Sequence, residues 1–567
     1  MGVFDGKRPI LYLLWFALSC LTRVAVASNG AQLNDKELNV LQKRFDSYYS
    51  NDTQISVQGI TLGGWLVTEP YITPSLYHKA INMVSQYNST YHNMSQIVDE
   101  YTLCQELGYD KAKDLLSEHF DTWITESDFK QIKDDGFNLV RIPIGYWAWK
   151  LDHEENLYVG NATYEDPYVG EGLQLHYLNR ALEWASKYEL NVWIDLHGAP
   201  GSQNGFDNSG QRNFYNKLGW LSDMDTKVLT LNVWGAMFDE YLNGGNSSNP
   251  IVGIEVMNEP LVPKLNIWDV TQVYYEGFDM FKEKQRKGDN TTFIIHDAFQ
   301  SIGHWNMELN PHFKNVSNRH FNLTNVSYSA QSVLVDHHHY EVFTDSQLQE
   351  SQFSRIMNII NFGDSINKEL QYHPAVVGEW SGAITDCATW VNGVNIGARY
   401  DGSYYNTTAF ETSQPPSGNC TSNQPIDQWS DEYKIAVRQF VEAQLATYSA
   451  KTTGWIFWNW KTENAPEWDY LQLKEAGLFP VPFDNYTYFS TDGSGSIDSD
   501  FSSSLSTLAY PTSSGSRTTS STAAKKGVAS SFRKINLQDT ELRALSGYWK
   551  MVLYLFPVCI SLVVVLL

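Results

Sequence analysis

Cysteine is scarce in this chain of 567 residues, which has five. Cys20 and Cys559 fall in apolar segments near the two ends and leave Cys104, Cys387 and Cys420. That is room for one disulfide, not for a disulfide framework. Cys387 and Cys420 lie in one loop and are the expected pair, with Cys104 a buried free thiol. Positive charge is also short. Lys and Arg number 40 against 64 Asp and Glu, a formal charge of −24. Such a surface repels nucleic acid and polyanionic substrates and suits a neutral one. The glycine-rich stretch Gly198–Gly210 has no Lys-Ser/Thr ending, so it is no phosphate cradle. No internal repeat is visible beyond the strand–helix alternation described below.

Long apolar runs occur only at the ends. Lys7 and Arg8, the run Ile10–Leu21 and Ala25-Val26-Ala27 have the layout of a cleaved secretion signal, residues 1–27. The run is short for an uncleaved anchor helix. At the other end, a Ser/Thr-rich linker, 489–531, precedes a segment, 532–567, that closes on the apolar tail Met551–Leu567. A polar stalk and a terminal apolar tail read as a glycolipid-anchor signal, although the small residues Ala529-Ser530-Ser531 stand further from the tail than the usual spacer. The tail is somewhat short for a spanning helix and has no basic flank. About twelve Asn-x-Ser/Thr sites, Asn51, Asn161 and Asn485 among them, fit a secretory route. The expected location is the outer face of the plasma membrane.

After a polar lead-in, 28–55, short apolar or β-branched segments recur: Gln58–Leu62, Asn138–Ile142, Val192–Leu196, Val252–Met257, Phe293–His296, Val333–His337, Ala375–Gly378 and Gly454–Phe457. Helical spacing follows, as in Leu175, Leu178, Leu182 and Ala185, and in Ile435, Phe440, Val441, Leu445 and Ala446. Strand–helix alternation eight times over predicts an α/β fold, a (β/α)8 TIM barrel over 56–488. The excess over the usual ~250 residues sits in long loops: Pro70–Thr125, Lys150–Gly172, His304–Gln331 and Ala383–Trp429.

In such a barrel the C-terminal strand ends carry the chemistry. The fourth segment stops at Asn258-Glu259-Pro260 and the seventh at Gly378-Glu379-Trp380. A lone glutamate at a strand end is most often a salt bridge or helix cap. Two facing each other across one barrel mouth, with Asn258 beside one and Arg141 available to the other, read as the paired carboxyls of a glycosidase. Arg141 is expected to lower the pKa of Glu379, and burial near a carboxylate to raise that of Glu259. In the run His337-His338-His339, alternation allows only His337 and His339 to share a face. A metal there would need further ligands, and sugar hydroxyls suit imidazole equally well, so no metal or cofactor is expected.

The segments Gly63–Tyr71, His197–Gly210, Asn258-Glu259-Pro260, His338-His339-Tyr340 and Gly454–Trp458 resemble the fungal exo-β-1,3-glucanases of glycoside hydrolase family 5, in their anchored form. The resemblance covers Gln58–Pro482. It implies a retaining enzyme, monomeric and cofactor-free, that releases glucose from the non-reducing end of wall β-1,3-glucan and transfers it to another sugar when one occupies the entrance. By motif position Glu259 is the acid/base and Glu379 the nucleophile, oriented by Arg141 and Tyr340. Asn258 would meet the sugar 2-hydroxyl. Glu69, His197, Asp207, His339 and Trp458 would bind the same sugar, and Phe206 and Phe343 would clamp the next one. The fold leaves open a β-1,6-glucanase, an endo-acting family 5 enzyme, or an inactive glucan-binding barrel.

Overall fold

The computed structural model describes residues 56–505, apart from 88–96, 214–217, 243–248, 263, 314–327, 407–410 and 413–415. The expected signal, lead-in, later stalk and anchor signal lie outside the described residues. No helix among those described is long and apolar enough to cross a membrane.

Eight parallel strands close into a barrel. They are β1 (Val57–Thr61), β2 (Leu139–Gly145), β3 (Asn191–Gly198), β4 (Ile251–Glu255), β5 (Thr292–His296), β6 (Val333–His338), β7 (Ala375–Glu379) and β8 (Gly454–Phe457). Each pairs with its neighbours in sequence, and β1 closes on β8 with Val57 opposite Gly454. All eight expected strands form, with ends shifted by a few residues at most.

The two-residue period of a strand builds the barrel interior in layers. Leu139, Trp193, Ile294, Leu334, Val376 and Ile456, from six different strands, pack into one buried apolar cluster. Two positions further along the same strands stand Arg141, Asp195, His296, Asp336, Gly378 and Trp458. An apolar plug therefore lies under a polar floor. Glycine is required in that floor. A Cβ on Gly378 would fall 2.1 Å from both carboxylate oxygens of Asp336, which also accepts the Gly378 N–H at 2.7 Å. Gly378→Ala is accordingly expected to cost about 3 kcal/mol or more, read as a lowered urea midpoint, and to displace the adjoining Glu379.

The segment Pro70–Thr125 is not a loop. It folds into α1 (Pro74–Tyr87), α2 (Glu100–Leu107) and α3 (Tyr109–Trp123). Asp99 caps α2 by accepting from Thr102 N, and Gly108, at φ 74°, breaks α2 from α3. Leu103, Leu107, Leu115, Leu116 and Phe120 bury the inner face of this insertion. Outside the barrel, α4 (Leu173–Lys187), α5 (Gln352–Glu369) and α6 (Asp431–Lys451) form where expected or between strands. Ile435 lies off the buried face of α6, at 47% exposed. Cys387 and Cys420 are bonded, and Cys104 is buried and free.

The body does not stop at residue 488. Thr487 N and Tyr488 N donate to Glu442 of α6, and Arg438 donates to the Asn485 carbonyl. Phe489 bridges to Ile497, and α7 (Ser499–Leu505) buries Phe501 and Leu505 against the core. Residues 489–505, expected as the start of the linker, are therefore part of the folded body. Ser dominates their composition, with Asp and Gly next, but four spaced apolar residues are enough to dock them.

Candidate active site

β4 delivers Glu259 through a strained turn. The residue has φ 46°, a conformation costly for anything but glycine and retained only where the surroundings fix it. Here Asn258 N donates to Leu196 O, and Gln203 Nε2 ties the Asn258 carbonyl to that of His197. Glu379 ends β7 across the mouth. Beneath them Arg141 is fully buried. It donates from Nη1 to Glu379 Oε1 at 2.6 Å, from Nε to Glu255 at 2.9 Å and from Nη2 to Asn258 Oδ1 at 2.9 Å, with Asp195 at 3.2 Å. Tyr340 donates its hydroxyl to the other Glu379 oxygen at 2.8 Å. Both oxygens of Glu379 are thus held by donors, and its orientation is set from two strands.

His338 joins the two glutamates. Its Nδ1 lies 2.9 Å from Glu259 Oε1 and 3.3 Å from Glu379 Oε2. Burial would favour the neutral ring, but the charges of Glu379, Asp336 and Glu259 outweigh it and hold His338 as an imidazolium. Burial would likewise raise Glu259. The His338 bond and charge, with Asn208 Nδ2 donating at 3.1 Å, overcome it and hold that carboxyl down to about 2. At Glu379 burial, helped by the charge of Glu259, outweighs His338 and Arg141 and pushes the carboxyl up. This order reverses the sequence expectation. The cause is the imidazolium set against Glu259, a partner the sequence reading did not assign.

The glutamates stand at the base of a cavity of about 460 Å3, within the ~300–1,000 Å3 of small-ligand sites. Glu69, Phe206, Asp207, Tyr340, Phe343 and Trp458 line it as expected. Glu69 Oε1 and Asp207 Oδ2 are buried without a hydrogen-bond partner among the described residues. Burial raises both carboxyls, that of Asp207 to about 7. Arg141, His197 and Asn258 lie just under the lining and are fully buried. His197 stacks beneath Trp458 at 5.6 Å and bonds Asp195 through Nδ1.

His339 is a correction. It faces outward, stacked on Phe362 of α5 at 4.0 Å and bonded to Tyr448 and Glu341. His337 and His339 do share a face, but it is the outer one, where both contact Phe362. Asp336, His338 and Tyr340 share the inner one. The sequence also gave no role to Phe299, which lines the rim at 43% exposed. The only signal was its place three residues beyond the β5 end. As for metal ligands, Glu259, His296 and His338 bring atoms within 4.8 Å of one another. One nitrogen of each ring serves a protein partner, His296 Nδ1 accepting from Ala298 N at 3.0 Å, while the Nε2 atoms of His296 and His338 have no hydrogen-bond partner among the described residues.

A model of the cellulase (glycosyl hydrolase family 5) domain matches residues 108–398. The protein called glucan 1,3-beta-glucosidase 2 of Saccharomyces cerevisiae is 61% identical over 541 residues, covering 94% of this chain and 95% of that one. This chain belongs to glycosyl hydrolase family 5. A second relative, glucan 1,3-beta-glucosidase 2 of Candida albicans, is 41% identical over 458 residues, 80% of this chain and 89% of its own. Among solved structures, AoRut superposes with a TM-score of 0.50 at 18% identity, covering 75% of this chain and 96% of that one, a likeness of fold. The family 5 enzyme is therefore a glycoside hydrolase on an eight-stranded barrel, with two glutamates at opposed strand ends.

Proposed function

We propose that this family 5 enzyme is a retaining, exo-acting glucan 1,3-β-glucosidase. It removes glucose from the non-reducing end of wall β-1,3-glucan and passes the glucosyl group to a second sugar when one is bound at the mouth. The names of its relatives support the substrate. One observation carries the mechanism: a single imidazole nitrogen touches both glutamates. The two oxygens it touches then lie within about 6 Å of each other. That bound accommodates the ~5–5.5 Å carboxyl separation of retaining enzymes and supports the retaining reading.

In the first step Glu379 attacks the sugar carbon while Glu259 protonates the departing oxygen. The acid form of Glu259 is one proton transfer away, across the 2.9 Å contact from His338 Nδ1. Once the glucosyl ester forms, Glu379 has lost its charge, and Glu259 takes a proton from water or from an acceptor hydroxyl. Asn258 and His197 are placed under the sugar, Glu69 and Asp207 accept its hydroxyls, and Trp458 supports its face. Phe206 and Phe343, at the rim, flank the next residue. The chain acts as a monomer held to the outer membrane face by a glycolipid anchor.

Product analysis on laminarin and on pustulan tests the reading. Glucose alone from laminarin, with pustulan turned over more slowly, is the expected result. Oligosaccharides as first products would mean an endo-enzyme, and preference for pustulan a β-1,6-glucanase.

A further inference from the structure

Behind the pocket rim lies a chain of buried charges that the mechanism does not use. Asp297 follows β5. Its Oδ1 accepts from Phe299 N at 2.7 Å, and its Oδ2 meets His337 Nδ1 at 2.7 Å. The other nitrogen of His337 meets Glu369 Oε2, at the end of α5, at 2.7 Å. A ring with a carboxylate on each nitrogen must donate from both, so His337 is an imidazolium. His337 and Glu369 are each 1% exposed. Asp297 is further tied through its carbonyl, which accepts from Trp305 Nε1, and through its N–H, which donates to Asp336 O.

What this chain holds in place is strained. Ala298 and Phe299 have φ 57° and 56°, two consecutive left-handed non-glycine residues, which persist only when their surroundings fix them. The turn swings the Phe299 ring over His296, at 5.2 Å, and out onto the rim. His296 in turn packs on His338 at 4.4 Å. His296 also brings a ring nitrogen within 4.8 Å of a Glu259 oxygen, so the Phe299 ring stands on the Glu259 side of the mouth, where the departing sugar would lie.

We propose that Asp297, His337 and Glu369 form a positioning relay that fixes Phe299 as a wall for the leaving part of a glucan chain. His337 and Glu369 would then govern chain recognition without touching substrate. This rests on the glucosidase reading above.

The test compares laminaritriose with β-glucosyl fluoride, whose leaving atom reaches no rim residue. Phe299→Ala and Glu369→Gln are each expected to raise KM for laminaritriose about tenfold with kcat little changed, the sign of lost uniform binding. Turnover of the fluoride should stay within about twofold of wild type, which also reports correct folding. The double variant should be no worse than either single one, because both changes remove the same contact. His337→Gln, which keeps a donor toward Asp297, should recover part of the loss. The proposal is overturned if Glu369→Gln slows the fluoride as much as the trisaccharide, if it leaves both substrates untouched, or if the double variant multiplies the two losses. Failure of the wild type on laminaritriose would instead sink the glucosidase reading, and this inference with it.

Discussion

Glu379→Gln leaves a folded protein whose turnover of laminarin is lower by more than ~10^4-fold. The amide has the shape of the carboxylate, and its carbonyl can still accept from Arg141 Nη1 or the Tyr340 hydroxyl. Arg141 keeps Asp195 and Glu255 as counter-charges. The urea midpoint should therefore stay near that of wild type. What disappears is a negative oxygen able to bond the sugar carbon, and no other described carboxylate holds the same place under both donors. Steady-state kinetics together with a denaturation curve separates lost chemistry from lost structure.

Glu259→Ala has a different signature. Oligosaccharide turnover should fall by ~10^2–10^4-fold, the usual worth of a positioned general acid. A dinitrophenyl β-glucoside leaves without protonation, so its first step should stay fast. A burst of phenol should appear and then stall, because the base for the second step is also gone. Azide, small enough to occupy the space vacated by the side chain, should restart turnover and yield β-glucosyl azide. Equal losses on both substrates would remove Glu259 from the role of proton donor.

The contrast between these variants reflects how unlike the two environments are. Glu379 is fixed from below by a guanidinium and from the side by a phenol. Glu259 sits on a left-handed turn, with His338 and Asn208 as its donors. The surrounding charges raise the His338 imidazole and hold the Glu259 carboxyl low, so the proposed mechanism requires a proton to pass from the ring to Glu259. His338 thus links the two strand ends electrostatically as well as sterically.

Much of this was legible in the residues. Short β-branched runs marked all eight strands, because a parallel barrel buries both strand faces. The abrupt change from apolar run to Asn258-Glu259-Pro260 marked the fourth strand end and its acid. Other features were not legible for definable reasons. In a run of three histidines a shift of one residue reverses the face, and His339 took the place that belongs to His338. Placing Tyr340 inward would have corrected it, since residues 338 and 340 share parity. The docked segment after residue 488 was masked by its Ser and Gly content, although Phe489, Ile497, Phe501 and Leu505 carry the contact. The pKa order and the rim position of Phe299 depend on neighbours from other strands, which no local pattern contains.

Trapping with a 2-deoxy-2-fluoro-β-glucoside bearing a good leaving group, followed by mass spectrometry of the digested enzyme, tests the central claim most directly. The two-carboxylate mechanism predicts one fluoroglucosyl group per chain, on the peptide containing Glu379 and absent from Glu379→Gln. An adduct on Glu259, or turnover of the reagent with no adduct and inverted product, would contradict it.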